Sequence, residues 1–425
     1  MPEIPHDGWP ESTLALMRNP YGFISERCRR FGSDLFQARL MLRPTVCMTG
    51  PEAAALFYDE GRFTRTNVAP GWLQKTLFGR GGVQGLDAEA HRHRKQMFLS
   101  LMTPAAVERL GSITAAAFRS QAQGWAGRDR VVLYDEVNEL ITRAVCEWAG
   151  VPLPEPEVGR RTAELVAMFD RAAALGPGHL WSRLARLRAE RWAGGLVEDV
   201  RAGRLDLPDG SAVRAVATHR NLTGELLDPR TAAVELLNVL RPTVAVSVFV
   251  TFAALALHQH PRCRERLRAG EAGYADLFGQ EVRRFYPFFP AVMARVRHDF
   301  EWKGYRFPRG RRVMLDLYGT DHDPRTWDAP GEFRPERFRK WDGSPFNFIP
   351  QGGGDHHRNH RCPGEWIAVE VLKVAAGFLA GEITYDVPEQ DLRIDRRRLP
   401  ALPRSRFVIT NVTAAGPAAD HPSVT

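Results

Sequence analysis

The segment FNFIPQGGGDHHRNHRCPGEW, residues 346–366, gathers glycines, histidines and one cysteine immediately before a run of strong helix formers. A thiol at this place faces the free backbone N–H groups of a helix N-terminus, which favour its thiolate form. His360 and Arg361 add positive charge beside Cys362, and Gly364 leaves room for a flat ligand to approach the backbone. Two other interpretations stay open at this point. One is a buried cysteine in a surface loop, and the other is a metal site made of His356, His357, His360 and Cys362.

A second pattern precedes this cysteine loop. Glu281 and Arg284 lie three residues apart in a helical segment, so they share one face and can form an ion pair. The motif FRPERF at 333–338 follows and contributes Arg337. A lone Glu-x-x-Arg is common in solvated helices and indicates little. The succession of this pair, FRPERF and a glycine-rich cysteine loop resembles the cytochrome P-450 superfamily, over essentially the whole chain.

This resemblance implies a mainly α fold with a minor β portion, in one haem domain spanning residues 1–425. In the cytochrome P-450 fold a long distal helix lies over the haem, a proximal loop carries the cysteine, and the β-sheets are small. Cys362 would then bind the iron of haem b as the axial thiolate. Glu281, Arg284 and Arg337 would form the buried structural triad of the superfamily.

The resemblance also implies residues that hold the haem. The run HRHRK at 91–95 matches the helix that contacts the haem propionates in the superfamily, and Gly364 lies beside the cysteine. A cationic side chain is needed there because each propionate carries a negative charge. The expected cofactor-binding side chains are Arg65, His91, Lys95 and His360, with Arg94 as a further candidate.

The chain departs from most of the superfamily at the distal helix. Where an acid next to a threonine usually delivers protons, LLNVLRPTVAVS at 236–247 has Arg241 and Pro242. The cysteine loop also has Asp355 where a phenylalanine is usual, and GGGDHH enlarges it. Both departures resemble one subfamily, the bacterial fatty-acid peroxygenases, and within it the members that hydroxylate the α-carbon.

Arg241 gives this second resemblance a chemical meaning. A guanidinium on an apolar helix is costly to bury without a counter-charge, and its planar fork fits a carboxylate. We therefore expect Arg241 to hold the carboxylate of a fatty acid with its α- and β-carbons near the iron. The carboxylate would act as the general acid–base that splits H₂O₂. Pro242 removes a helical hydrogen bond and should kink the helix.

The subfamily implies further substrate contacts. The lipid chain would run past Leu77, Phe78, Phe169 and Phe288. Gln84, the third expected catalytic residue with Arg241 and Pro242, occupies a position where histidine is associated with decarboxylation to terminal alkenes, so glutamine favours hydroxylation. The alternatives are a decarboxylase, a monooxygenase fed by a reductase, a haem-based sensor without turnover, and a zinc-binding module.

The elements that must position these residues are mostly helices. The expected helices are Pro104–Trp125, Asp135–Ala149, Pro156–Ala173, His179–Ala202, a long one at Pro229–His258 and a final one at 363–381. Asp228 can cap the long helix and Pro261 ends it. Residues 34–49 predict a hairpin. The strands Asp299–Trp302, Tyr305–Phe307 and Val313–Leu317 predict a small β-meander, and residues 319–362 an irregular stretch.

Composition bounds the partners. The formal net charge is +8, but the charges are scattered, which favours an anionic substrate over nucleic acid. Five distant cysteines without a CxxC pair indicate a reducing compartment. The N-terminus has no apolar core of a signal peptide, and the uncharged stretch Thr243–Leu257 is shorter than the roughly 20 residues that span a bilayer. We expect a cytoplasmic protein without a membrane span or a dedicated redox partner.

Overall fold

The structure, a computed structural model, describes residues 3–170 and 176–415. Its α-helices are α1 Thr13–Arg18, α2 Phe23–Phe31, α3 Pro51–Phe57, α4 Gly71–Leu73, α5 Ala88–Ser100, α6 Pro104–Trp125, α7 Leu133–Ala149, α8 Glu155–Asp170, α9 Pro177–Arg201, α10 Ala212–Thr218, α11 Pro229–Val244, α12 Ser247–Gln259, α13 Pro261–Arg268, α14 Tyr274–Phe285, α15 Leu317–Thr320 and α16 Glu365–Gly377. Short 3₁₀ or π turns occur at Gln74–Phe78, Val83–Gly85, Pro335–Lys340 and Phe378–Glu382.

The strands are short. They are β1 Leu35–Leu40, β2 Arg43–Met48, β3 Phe63–Thr64, β4 Val131–Val132, β5 Ala291–Val296, β6 Phe300–Trp302, β7 Tyr305–Phe307, β8 Arg312–Asp316, β9 Ile383–Asp386, β10 Ile394–Asp395, β11 Leu402–Pro403 and β12 Val408–Ala414. The expected mainly α architecture with a minor β portion is confirmed.

Most of the predicted helices are confirmed to within two residues, and α6 has the predicted bounds. Local chemistry explains where they begin. The side chain of Thr103 accepts from the backbone N–H of Ala106 at 3.2 Å, and Asp228 accepts from Thr231 N–H at 3.0 Å. A proline occupies the first turn in both cases, where no N–H is needed. The predicted extension of α8 to Ala173 lies outside the described residues.

The long distal helix is not continuous. The prediction of one helix from Pro229 to His258 is wrong in this respect, since α11 ends at Val244 and α12 begins at Ser247. Pro242 has no N–H to donate, which weakens the helix one turn before this break. The stretch Pro229–Gln259 is long and apolar enough to cross a membrane by length and composition alone, but 94% of its most apolar window is buried inside the protein. It is a core element.

The three-stranded meander is also wrong. β6 and β7 form a separate antiparallel hairpin, whereas β8 joins a five-stranded sheet of order β1-β2-β8-β5-β3. In that sheet β8 pairs parallel with β2 and antiparallel with β5. Val313, Met314 and Leu315 are consecutive and all buried, which suits an inner strand covered on both faces. The hairpin at 34–49 is confirmed as β1 and β2.

The helices enclose the site. A large apolar core is shared by α7, α11, α12 and α16, while a smaller core covers the five-stranded sheet. The final helix is shorter than predicted, because the chain becomes a π turn at Phe378. The cysteine loop leads directly into α16, so it faces α11 across the interior of the protein.

Candidate active site

A cavity of about 270 Å³ separates the cysteine loop from the distal helix. Cys362, Gly364 and Ile367 line one wall, and Arg241 and Pro242 line the opposite wall. The thiol and the guanidinium, 121 positions apart in sequence (362 − 241), therefore face one space.

The glycines of the cysteine loop are required by close packing. A β-carbon on Gly353 would lie 2.6 Å from the Ile349 side chain and 2.7 Å from the Pro345 carbonyl oxygen. Gly352 and Gly354 have φ of 91° and 82°, in the left-handed region that only glycine adopts readily. This tight turn returns the chain so that Cys362 N–H donates to Gln351 O at 3.0 Å. Burial raises the pKa of the Cys362 thiol, while the Gly364 N–H and the cations of Lys95 and Arg283 favour the thiolate.

A balanced charge cluster lies beside the cysteine. Glu365, at the start of α16, accepts from Arg361 Nε at 2.7 Å and pairs with His356 Nε2 at 2.9 Å and with Arg283. These groups hold the pKa of the buried Glu365 carboxyl well below its usual range. The His356 ring also stacks on Trp366, with centroids 4.5 Å apart. In residues 3–170 and 176–415, no group of three or more histidine, cysteine or acidic side chains is arranged to hold a metal ion.

The three residues expected to form the structural triad meet. Arg284 donates to Glu281 through Nε at 2.7 Å and Nη2 at 2.8 Å, and both side chains are fully buried. Arg337 Nε donates to the same carboxylate at 3.2 Å. The contact between Glu281 and Arg337 thus joins α14 to the turn at Pro335–Lys340, which precedes the cysteine loop.

Arg241 is a buried cation without a carboxylate partner among the described residues. Its side chain donates to the Leu77 carbonyl and, at 3.3 Å, to Asn238 Oδ1, and Nε has no acceptor there. Burial, together with the nearby positive charge of Arg186, lowers the pKa of Arg241 to about 9. It is therefore still cationic at neutral pH. A guanidinium with only neutral acceptors can gain from an incoming anion.

A polar network continues from Arg241 along one face of α11. Asn238 Nδ2 donates to Glu235 Oε2 at 2.8 Å and to Gln84 Oε1 at 3.3 Å. Glu235 in turn accepts from Arg94 Nη1 at 2.7 Å, so Arg94 is directed to this carboxylate. Sequence reasoning missed Asn238 and Glu235. They lie three and six positions before Arg241, a spacing that places all three residues on one helical face.

A second buried arginine was also missed. Arg186 of α9 is 1% exposed and pairs with Glu190 at 2.8 Å. It donates to the carbonyls of Leu77 at 3.2 Å and Phe78 at 3.4 Å. The turn at Gln74–Phe78 is therefore fixed by two arginines from different helices. No local signal distinguishes Arg186 from the exposed arginines around it in α9.

The structure brings most of the other predicted residues to the cavity. Gln84, Phe78, His91, Lys95 and His360 line it. The rings of His91 and His360 stack, with centroids 3.8 Å apart, and Lys95 Nζ donates to the carbonyls of Asn359 and, at 2.6 Å, Arg361.

Five of the residues predicted at the cofactor or the substrate do not line this cavity, and one of them is Arg94, which pairs with Glu235. Arg65 donates to Met293 O at 2.8 Å and lies over the Phe57 ring. Phe288 packs against Phe249 with centroids 4.4 Å apart. Leu77 and Phe169 are likewise buried in the core. Their roles at the cofactor and the substrate stay predictions.

The cavity has the donors that a haem requires. A thiol stands on one wall, and cationic or imidazole side chains stand at the edge near His91, Lys95 and His360. His91 Nδ1 is buried and has no hydrogen-bond partner among the described residues, so it can receive an acidic group. Cys362 would hold the iron, and Lys95, His91 and His360 would contact the propionates.

Comparisons with known proteins agree with this geometry. The family model described as Cytochrome P450 (hereafter P-450) matches residues 272–390. Solved structures of P-450SP alpha (CYP152B1) are 55% identical, with a TM-score of 0.94, and cover 96% of this chain and 100% of theirs. P-450EX alpha (CYP152N1), solved with myristic acid, is 45% identical, with a TM-score of 0.95, over 98% of this chain and 100% of that one.

A variant of P-450 OleT in complex with arachidonic acid is 36% identical, with a TM-score of 0.96, and covers 98% of this chain and 100% of its own. The correspondence thus extends from end to end and includes both the fold and the cysteine loop. The chain belongs to the cytochrome P-450 family, and its neighbours place it among the CYP152 enzymes.

Proposed function

We propose that the protein hydroxylates long-chain fatty acids at the α-carbon, and to a smaller extent at the β-carbon, with H₂O₂ as the oxidant. The observation that carries the proposal is the buried Arg241 cation, without a carboxylate partner in the described part of the chain, across the cavity from the Cys362 thiol. A fatty-acid carboxylate supplies the missing counter-charge and fixes the first carbons of the chain at the reacting position.

The neighbours support a lipid substrate. P-450EX alpha was solved with myristic acid and OleT with arachidonic acid, while P-450SP alpha was solved with (R)-ibuprofen, which is also a carboxylic acid. Three related cavities thus accept a carboxylate joined to an apolar body. The cavity here has apolar walls at Phe78, Val239 and Ile367.

The proposed proton transfer depends on Arg241 of the distal helix. A bound haem would supply a thiolate-ligated iron, and with it the chemistry of peroxide cleavage and C–H hydroxylation. Arg241 keeps the substrate carboxylate ionised and oriented, so one carboxylate oxygen takes a proton from the peroxide and returns it to the leaving oxygen. Pro242 lies inside α11 next to Arg241 and has no N–H to donate along the helix. Gln84 accepts a hydrogen bond from Asn238.

The oxidant is tested by comparing turnover with H₂O₂ and turnover with NAD(P)H and reductases. With H₂O₂ and a C14 fatty acid, gas chromatography should find 2-hydroxy acid as the main product and 3-hydroxy acid as the minor one. NAD(P)H with reductases and added catalase should give none. Product under the second condition alone would establish a reductase-dependent monooxygenase, and a terminal alkene as the main product would establish a decarboxylase.

The role of the carboxylate is tested separately. A short carboxylic acid that fits beside Arg241 should permit peroxide-driven oxidation of a substrate without an acid group, such as styrene. The same mixture without the short acid should give little product. Equal product in both mixtures would contradict a proton relay through the carboxylate.

The proposal includes no dedicated redox partner and a cytoplasmic location. The five cysteines are all free, and four of them are buried, which suits a reducing compartment.

A further inference from the structure

A second cavity, of about 350 Å³, lies at one end of the five-stranded sheet, beside its inner strands β2, β8 and β5. Five arginines line it, and none of its lining residues is shared with the active-site cavity. They come from the start of β2, from β5, from the β7–β8 loop and from β8, and they are Arg43, Arg295, Arg309, Arg311 and Arg312.

These arginines have neutral partners only. Arg295 Nη2 donates to the Asn67 carbonyl at 2.7 Å, Arg312 Nε donates to Thr45 Oγ1 at 2.9 Å, and Arg311 donates to the side chain of Gln37. Across residues 3–170 and 176–415, none of the five arginines forms an ion pair with a carboxylate.

Two acids act on these arginines, and both are already engaged. Glu11, which raises the pKa of Arg312, accepts from the backbone N–H groups of Met41 and Leu42. Asp299 pairs with Arg306 at 2.7 Å and accepts from the backbone N–H of Arg309 at 2.7 Å. Its two carboxylate oxygens are thus used by groups other than the guanidinium of Arg309. Asp299 and Glu11 thus offset only part of the positive charge of the five arginines that line the cavity.

The strand register brings two of these charges together. Arg295 of β5 is the direct antiparallel partner of Arg312 of β8, so their side chains leave the same face of the sheet. Like charges directly opposite each other destabilise a sheet. Burial also lowers the pKa of Arg311 and of Arg312, and Arg43 lowers that of Arg312 further. An anion in the cavity would remove this penalty.

We propose that this cavity binds a multiply charged phosphate group, either pyrophosphate or a phosphate ester. A phosphate group offers three terminal oxygens and up to two charges, which several guanidinium forks can share through paired hydrogen bonds. A single carboxylate has one charge and two oxygens, and it would leave most of the five arginines without an anionic partner. The volume exceeds that of one phosphate group, so a second phosphate or an ester portion fits as well.

The test is calorimetric titration of the haem-loaded enzyme with sodium pyrophosphate at fixed ionic strength. The double variant Arg43→Gln/Arg295→Gln removes two charges while keeping the Thr45 contact of Arg312. We expect one saturable site in the wild type and affinity lower by about 100-fold in the double variant, or roughly tenfold for each charged hydrogen-bond donor. The control Arg183→Gln/Arg262→Gln removes two exposed arginines of α9 and α13 and should bind as the wild type does.

Thermal unfolding supplies a second readout. Without ligand the double variant should melt close to the wild type, since the repulsion that it loses offsets the lost hydrogen bond from Arg295 to Asn67. Pyrophosphate should raise the Tm of the wild type alone. A clear fall in the Tm of the unliganded double variant would mean that these arginines are structural, which would overturn the proposal. Equal loss of affinity in the control would also overturn it, because binding would then follow net charge.

The source of the phosphate is distinguished with vesicles. A lipid headgroup would be identified if the protein sediments with phosphatidylcholine vesicles that contain phosphatidic acid but not with phosphatidylcholine alone. The double variant should then no longer sediment. Pyrophosphate binding without sedimentation would identify a soluble ligand. Absence of both, or displacement of pyrophosphate by an equal concentration of acetate, would overturn a phosphate site.

Discussion

The two walls of the active-site cavity differ in how their buried charged side chains are paired. On the cysteine side, Arg283, Arg361 and His356 all converge on Glu365, so cations and anion lie within one hydrogen-bonded cluster. On the distal side, Arg241 meets a carbonyl and an amide, and Arg186 adds a second positive charge nearby. The nearest distal carboxylates, Glu235 and Glu190, are engaged by Arg94 and Arg186.

The contrast separates two uses of a buried arginine. Where the protein supplies the anion, the pair holds two segments together, and removing one partner costs stability because the other charge is left buried. Where the protein supplies none, the cation is available to a ligand, and removing it should cost binding and turnover instead. Four substitutions or conditions test this distinction.

The largest effect is expected for Arg241→Ala. Loss of the guanidinium should lower kcat/KM for a C14 acid by about 100-fold or more, since a buried charge pair with the substrate is lost. The carbon monoxide difference spectrum, which reports the thiolate ligand, should be unchanged. Arg262→Ala, on the surface of α13, should retain full activity. Wild-type turnover by Arg241→Ala would contradict the role of this residue as the carboxylate anchor.

On the cysteine side, substitution of a charged residue should lower the stability of the protein. Glu365→Gln keeps the shape but leaves Arg283 and Arg361 without a counter-charge, and it should lower the free energy of unfolding by about 3 kcal/mol. Urea denaturation followed by circular dichroism measures this. Glu370→Gln, which breaks a half-exposed pair with Lys373 on the same helix, should cost about 0.5 kcal/mol. Equal losses in the two variants would remove the distinction between a matched cluster and a surface pair.

Asn238→Leu tests whether the distal network positions Arg241 and Gln84. It removes the link between Arg241 and Glu235, and the loss of a buried hydrogen bond should lower kcat/KM by about tenfold. The proportion of 3-hydroxy product should rise, because the carboxylate is held less firmly. An unchanged product ratio with reduced haem content would indicate a purely structural role.

The last test is a pH dependence. The pKa of Glu365 is lowered in the folded protein, so its stabilisation is fully present above the ordinary carboxyl range and is lost as pH falls. Between about pH 5 and pH 3, the free energy of unfolding of the wild type should fall more steeply than that of Glu365→Gln. The difference approaches about 1.4 kcal/mol per pH unit. Parallel curves would show that the charge of Glu365 contributes nothing.

Much of this arrangement is predictable from spacing. The pair of Glu281 and Arg284 is set by one helical turn, and the cap at Asp228 marks a helix start that the structure reproduces. The cysteine loop is recognisable because only glycine tolerates its backbone at Gly352 and Gly354. These features depend on neighbours in sequence.

Other features depend on segments that meet only in the folded protein. The strand β8 reads like a continuation of the β6–β7 hairpin, yet its apolar run is buried between β2 and β5. Arg186 resembles the exposed arginines of α9, but a β-carbon on Gly79 would lie 2.0 Å from its guanidinium, which shows how closely the two segments pack. The pattern of residues along α9 alone does not predict a contact with a segment that is distant in sequence.

The missing distal acid has a consequence for the resting enzyme. Since the proposed proton relay arrives with the lipid, peroxide that reaches an empty active site finds no group to assist its cleavage. Wasteful consumption of oxidant, and the bleaching of the porphyrin that accompanies it, should therefore be suppressed until a fatty acid is bound. The same arginine that selects the substrate would act as a safeguard for the cofactor.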